Sequence, residues 1–259
     1  DKQDRASSAA SAAPSTRTAP RAALRGHMKL PPVSILCLHG YSMDGAALRS
    51  QIRRLMQKLE PRATFHFVDA PFAVPSVVDP AKQGASWWLP KRTAEGHWNY
   101  EGVDAALEVV SEANAAQKRR AGSGFAGVLG FSQGGALASL LVALREDSPL
   151  PSLRFAIFAG AFRYRAADPC YDHLFDERNL FTTPSFHCVG ARDEIVKPYK
   201  SNALADCFAA DRRVLCEHRG SHVVPTNEAS LNQFDNWMLA QQKAGLAALA
   251  SEWSNGSYC

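Results

Sequence analysis

The sequence predicts a mainly parallel β-sheet of about six strands with α-helices on both faces, and three observations carry that prediction. Short runs that are apolar along their whole length alternate with stretches of helical periodicity. Strands apolar at every position need cover on both faces, which a parallel sheet flanked by helices supplies. The 259 residues, 46% hydrophobic and 21% charged, suit one substantial core at a length that α/β proteins commonly fold as a single domain.

Taken in order, 33–38 (VSILCL) reads as the first strand, and 47–59 as a helix with Leu48, Ile52, Leu55, Met56 and Leu59 on one face. A strand at 64–68 precedes a long irregular stretch, and a helix near 100–117 turns Val103, Leu107 and Val110 inward. The run 125–129 leads into a helix at 133–144 that is apolar on nearly every side. Strands follow at 155–158, 185–189 and 214–217, with a helix near 201–208 between the last two and a final helix near 228–239. The domain is expected to span 28–242. Residues 1–27, rich in Ala, Ser, Arg and Pro, read as a disordered leader or appended remnant, and 243–259 as a tail. The Arg/Ser flavour of that leader is that of an organelle transit peptide, which Asp1 and Asp4 oppose.

The formal net charge is +4. Lys2, Arg5, Arg17, Arg21, Arg25 and Lys29, set against Asp1 and Asp4, account for all of it, so the folded body is neutral. No basic stripe with interleaved aromatics remains, and nucleic acid is not an expected partner. The longest apolar run, 136–144, is about half of the roughly 20 residues that span a bilayer, so no integral membrane segment is expected. Of six cysteines (Cys37, Cys170, Cys188, Cys207, Cys216 and Cys259), three lie within core-strand runs, and none forms a CxxC pair. Buried free thiols in a reducing compartment follow, which points to the cytoplasm. The His and Cys spacing does not fit a zinc site, and no metal is expected.

In a parallel sheet the reactive groups gather at the carboxyl ends of the strands, and this rule filters the motifs. Gly130-Phe131-Ser132-Gln133-Gly134, between a strand and a helix, fits G-x-S-x-G in its confirming context, the nucleophile elbow of the α/β-hydrolase fold. The alternative is an ordinary glycine-rich turn; the flanking strand and helix favour the elbow. A helix N-terminus behind Ser132 also favours negative charge developing there.

A serine hydroxyl needs a histidine base and an acid that orients it, in the chain order Ser, acid, His for this fold. His66 and His187 fall within strands and read as structural; His97 and His173 fall in irregular excursions and His27 in the leader. His222, in the loop after the last strand, is the expected base, with His218 the fallback. Asp193, after the strand ending at Val189, is the expected acid, and Glu194 beside it the solvated rival; Asp206 and Asp211 lie away from the site. The tetrahedral intermediate needs two backbone N–H donors: Gln133, following the nucleophile, and Tyr41, after the first strand in Leu38-His39-Gly40-Tyr41. His39 reads as a support for that loop rather than a base.

These residues resemble the small eukaryotic FSH-type serine hydrolases that include the ovarian-cancer-associated gene 2 protein and its fungal relatives. The matching stretches are LHGYSMDGAALRSQ, FVDAPF, SWWLP with YEGVDAAL, GVLGFSQGGALASLL, FAIFAGAF, VGARDEIVKP and GSHVVP, which together span 33–237. GFSQGG alone fits the acyl-protein thioesterases equally well; the Tyr after LHG, the paired Trp and the YEG stretch tilt the choice. The resemblance implies an esterase or thioesterase for medium to long acyl chains, free of metal and cofactor, with the triad on Ser132, Asp193 and His222. Gly135, Ser221 and Lys197 depart from the usual Ala, Gly and Pro; the last two bear on the pocket rim.

The segment 71–98 is too long for a simple connection and reads as a lid or binding element. Trp87 and Trp88 would supply an apolar wall for an acyl chain, with at least one of them packing on the core. A second excursion, 162–183, holds Phe162, Tyr164, Tyr171 and Phe175 and would form the other wall. The expected activity is hydrolysis of carboxylic esters or thioesters. The same triad would serve an acyltransferase, and a hydrolase fold used only for binding is the reading from another class; peptidase activity is weaker still.

Overall fold

A computed structural model describes residues 30–255 apart from 78, 80, 177 and 179. The leader 1–27 lies outside the described residues. Six strands form one parallel sheet: β1 (Val33–Leu38), β2 (Ala63–Val68), and then four strands whose numbers follow two inserted hairpins. The hairpins pair β3 (Phe72–Pro75) with β4 (Gln83–Ser86) and β5 (Leu89–Arg92) with β6 (Trp98–Glu101). The sheet resumes with β7 (Gly127–Phe131), β8 (Phe155–Ala159), β9 (Ser185–Gly190) and β10 (Arg213–His218), in the spatial order β10-β9-β8-β7-β1-β2.

Helices α1 (Gly45–Gln51), α2 (Arg53–Leu59) and α6 (Glu228–Asn255) cover one face, and α3 (Val103–Ala121), α4 (Gln133–Ala143) and α5 (Pro198–Ala205) the other. The strand period of two divides the sequence between them. Val33, Ile35 and Cys37 of β1 join Leu48, Leu55 and Phe234 in one core, while Leu36 and Leu38 join Val110, Leu137 and Leu204 in the other. Helix α4 is buried at all its positions, as its all-round apolar sequence requires.

The α/β-hydrolase architecture expected from the sequence is therefore present, with differences at the edges. The helix expected over 47–59 is two helices broken at Ile52. The irregular 71–98 stretch contains the two hairpins, and Tyr100 belongs to β6 rather than to the helix that follows. Helix α6 continues to Asn255, well beyond 239 and into the expected tail. Cys37, Cys188 and Cys216 are buried in β1, β9 and β10 and are free thiols. Among the described residues no helix is long and apolar enough to cross a membrane.

Chain order and spatial order part company at β1, which lies between β2 and β7. The chain first builds outward to β2, then returns past β1 to build β7 to β10. Such a reversal opens a crevice at the carboxyl ends of the central strands, where ligands bind in open α/β sheets. The loops leaving β1 and β7 carry Gly40-Tyr41 and Ser132.

On β9, His187 stacks on Phe158 at 4.9 Å and bonds Ser185 Oγ through Nε2 at 2.9 Å. Burial, reinforced by the charge of Arg213, pushes its pKa down from 6.5 to about 3. The unfolded chain therefore binds more protons between those values, and stability drops as pH falls below about 6.5. From pH 7 to pH 5 this one group costs about 2 kcal/mol. Urea unfolding at the two pH values should show a smaller acid loss in His187→Phe than in the parent; equal losses would remove His187 as the cause.

Candidate active site

The elbow begins with the backbone. Ser132 sits between β7 and α4 at φ 54° and ψ −117°, a conformation that costs energy for any non-glycine residue. Two bonds hold it there: Ser132 N–H donates to Ala159 O at 3.0 Å, and Ala136 N–H donates to Ser132 O at 3.0 Å. The turn closes only because Gly134 has no side chain. A Cβ there would run into the Leu38 and His39 carbonyls, and Gly134 N–H donates to His39 O at 3.1 Å. The Ser132 side chain meets no hydrogen-bond partner among the described residues, and 9% of the residue is exposed.

Asp193 leaves the β9 loop and is 2% exposed. Its Oδ1 accepts the N–H groups of Ile195 at 3.0 Å and Val196 at 2.8 Å, which fixes the carboxylate plane. Its Oδ2 accepts from His222 Nδ1 at 2.7 Å. Because a carboxylate only accepts, the His222 proton lies on Nδ1 and Nε2 is the basic nitrogen. The imidazole packs beside the elbow, 4.8 Å from the Phe131 ring. Asp193, His222 and the Ser132 turn are thus neighbours, although 90 residues separate Ser132 from His222 along the chain.

The rival carboxylates are occupied elsewhere. Glu194 is exposed and pairs with Lys197. Asp206 and Asp211 pair with Arg213 and Arg212 on the far side of α5. His218 ends β10, its Nδ1 accepts Gly220 N–H at 3.2 Å, and burial lowers its pKa. It makes no hydrogen bond to Asp193.

The loop after β1 reaches Ser132 at Gly40, where an added Cβ would stand 3.2 Å from Ser132 Cβ. The backbone N–H groups of Tyr41 and Gln133 meet no acceptor among the described residues, as a pocket for an oxyanion requires. Trp87 and Trp88 do not line an exposed groove: they are 0% and 2% exposed. Trp88 stacks on Tyr100 at 4.9 Å and meets Tyr164 edge-on, while Trp87 Nε1–H donates to His39 O at 2.8 Å. Tyr164 and Phe175 of the second excursion are likewise buried in the core. The apolar groups that do reach solvent on the site's loops are Tyr41, Ile195 and Val223, with Tyr199 in the first turn of α5.

Three features of the site lay beyond sequence reasoning. The Gln133 amide accepts Trp87 N–H at 3.0 Å and donates to Trp88 O at 3.2 Å, tying the Trp pair to the elbow. Ser86 Oγ joins that cluster, donating to Trp88 O at 2.5 Å. Gly160, at φ +50°, lies beneath the His222 ring, where a Cβ would come 2.9 Å from His222 Nδ1 and 3.2 Å from Asp193 Oδ2. Its only signal was a glycine at the carboxyl end of a strand. Among the described residues no group of His, Cys, Asp and Glu is arranged to hold a metal ion.

Fold and motif context together define an α/β hydrolase with a serine elbow. The chain belongs to the serine hydrolase (FSH1) family, whose model matches residues 28–234. It is 29% identical over 231 residues to esterase OVCA2 of Danio rerio, covering 82% of this chain and 98% of that protein. An esterase of Caenorhabditis elegans is 31% identical over 214 residues, covering 82% of this chain and 95% of the relative. Acyl-protein thioesterase 2 of Zea mays shares the fold, with a TM-score of 0.58 at 17% identity over 82% of this chain and 94% of that one.

The space under the base gives a direct test. Gly160→Ala places a methyl against the Asp193–His222 pair, so steady-state hydrolysis of an activated ester should fall at least about tenfold, the scale of a misplaced catalytic group. Turnover equal to the parent would mean that this contact does not constrain the base.

Proposed function

We propose that this protein hydrolyses carboxylic esters or thioesters through an acyl-enzyme on Ser132. His222 Nε2 takes the Ser132 proton as the hydroxyl attacks the acyl carbonyl, and later returns it to the leaving alcohol or thiol. Asp193 holds the imidazole in the Nδ1–H tautomer and stabilises the imidazolium that forms. The N–H groups of Tyr41 and Gln133 receive the negative oxygen of the tetrahedral intermediate. Water then repeats the sequence on the acyl-enzyme, with His222 again as base.

The observation that carries this reading is the 2.7 Å Asp193–His222 bond beside the strained Ser132 turn. The names of the relatives, esterases in several animals, support the same substrate class. An apolar acyl group suits the rim, since the loops bearing the Tyr41 N–H, the acid and the base each expose an apolar residue: Tyr41, Ile195 and Val223. That rim, rather than the interior Trp pair, is the basis for expecting medium to long acyl chains.

A fluorophosphonate probe should label the native protein and fail on Ser132→Ala and on His222→Ala. An unlabelled native protein would remove the enzyme reading, and persistent labelling of Ser132→Ala would remove the nucleophile. Across a series of p-nitrophenyl esters, octanoate should turn over faster than acetate; a preference for acetate would contradict the apolar rim.

A further inference from the structure

We propose that His39 is a positioning residue that aims the Tyr41 N–H at the oxyanion by fixing the peptide between Gly40 and Tyr41. The proposal rests on the reading of Ser132 as nucleophile. It starts from the tautomer of a fully buried ring. His39 Nε2 receives the Ala70 N–H at 3.0 Å, and a backbone N–H can only donate, so Nε2 carries no proton. The ring proton is therefore on Nδ1, which donates to Gly40 O at 2.8 Å. Burial lowers the pKa of this imidazole, against the opposing hydrogen bond to Gly40 and the charges of Asp69 and Asp44.

Gly40 O also accepts Met43 N–H at 3.2 Å, so two donors turn this carbonyl toward the protein interior. In a trans peptide the carbonyl and the following N–H point in opposite directions. The Tyr41 N–H is thereby directed away from His39, and it meets no acceptor among the described residues. Gly40 lies against Ser132, so that free donor stands beside the nucleophile.

The other end of the residue is equally constrained. His39 O accepts both Trp87 Nε1–H at 2.8 Å and Gly134 N–H at 3.1 Å, and the Trp87 ring lies 5.1 Å from the imidazole. Gln133 grips the backbone of Trp87 in turn. One residue thus ties the β1 loop, the elbow and the segment after β4 together, and both unpartnered N–H groups belong to that assembly. Trp87 acquires a role here: its indole anchors the oxyanion loop instead of touching an acyl chain.

Side-chain geometry separates the two ring contacts. In His39→Asn the amide nitrogen takes the place of Nδ1 and keeps the donor to Gly40 O; in His39→Gln the amide oxygen takes the place of Nε2 and keeps the acceptor for Ala70 N–H. The proposal expects His39→Asn to retain kcat within about threefold, while His39→Gln and His39→Ala lose about 10²-fold, the scale of one oxyanion donor, with KM little changed. Equal activity of the Asn and Gln variants, or a loss carried by KM, would overturn it. Trp87→Phe keeps a ring and removes the N–H, so it tests the same assembly if the His39 variants fold poorly. It should lower kcat about tenfold, the scale of one hydrogen bond, and by the same factor for acetyl and octanoyl esters. A loss that grows with acyl length and appears in KM would instead make Trp87 a substrate contact. Labelling that persists in Ser132→Ala would overturn the underlying reading and this proposal with it, a result separable from the Asn and Gln comparison.

Discussion

The site depends on the strained turn at Ser132. A serine at φ 54° is held only if its surroundings over-determine it. Here the neighbouring strand supplies an acceptor at Ala159, the helix behind supplies a donor at Ala136, and the β1 loop closes over Gly134. These contacts come from the carboxyl ends of β8 and β1 and from the first turn of α4. The strain therefore persists only while β1, β7 and β8 keep their register, and the parallel pairing of those strands is what maintains it. The cost of the turn is carried by the whole central sheet rather than by the pentapeptide that contains it.

The same arrangement explains how Ser132, Asp193 and His222 come together without lying near one another in the chain. Strands β7, β8 and β9 run in one direction, as does β10, so each delivers its following loop to the same edge. Asp193 is locked by two backbone donors before it meets His222, which leaves the imidazole few orientations. Gly160 leaves room for that pair. The aromatic insert between β2 and α3 supports the site from behind: its Trp87 and Trp88 side chains are interior, and the Trp87 backbone is gripped by Gln133.

Much of this was legible in the sequence, and the reasons differ by element. The run at 33–38, apolar except for Ser34, and the wholly apolar run at 155–158 read as central strands, and the carboxyl-end rule then pointed to Tyr41 and, through the later strands, to Asp193 and His222. The Ser132 motif was readable because its glycines answer a local steric demand. What escaped notice were tertiary facts. Nothing local distinguishes an indole that faces a groove from one that donates to a carbonyl 48 residues away, as Trp87 does to His39. Gly160 looks like any strand-ending glycine until β9 and β10 bring their loops over it. Helix α6 runs to Asn255, past the expected end near 239, and its later residues Leu246, Leu249, Ala250 and Trp253 keep the helical spacing.

The central claim is that an acyl group passes through Ser132. Rapid mixing with p-nitrophenyl octanoate, acid quenching within the first turnover, and peptide mapping by mass spectrometry test it most directly. An octanoyl group should appear on the peptide containing Ser132, accumulating in step with the burst of nitrophenol. Turnover without any acylated peptide, or an octanoyl group mapped to a different residue, would contradict it.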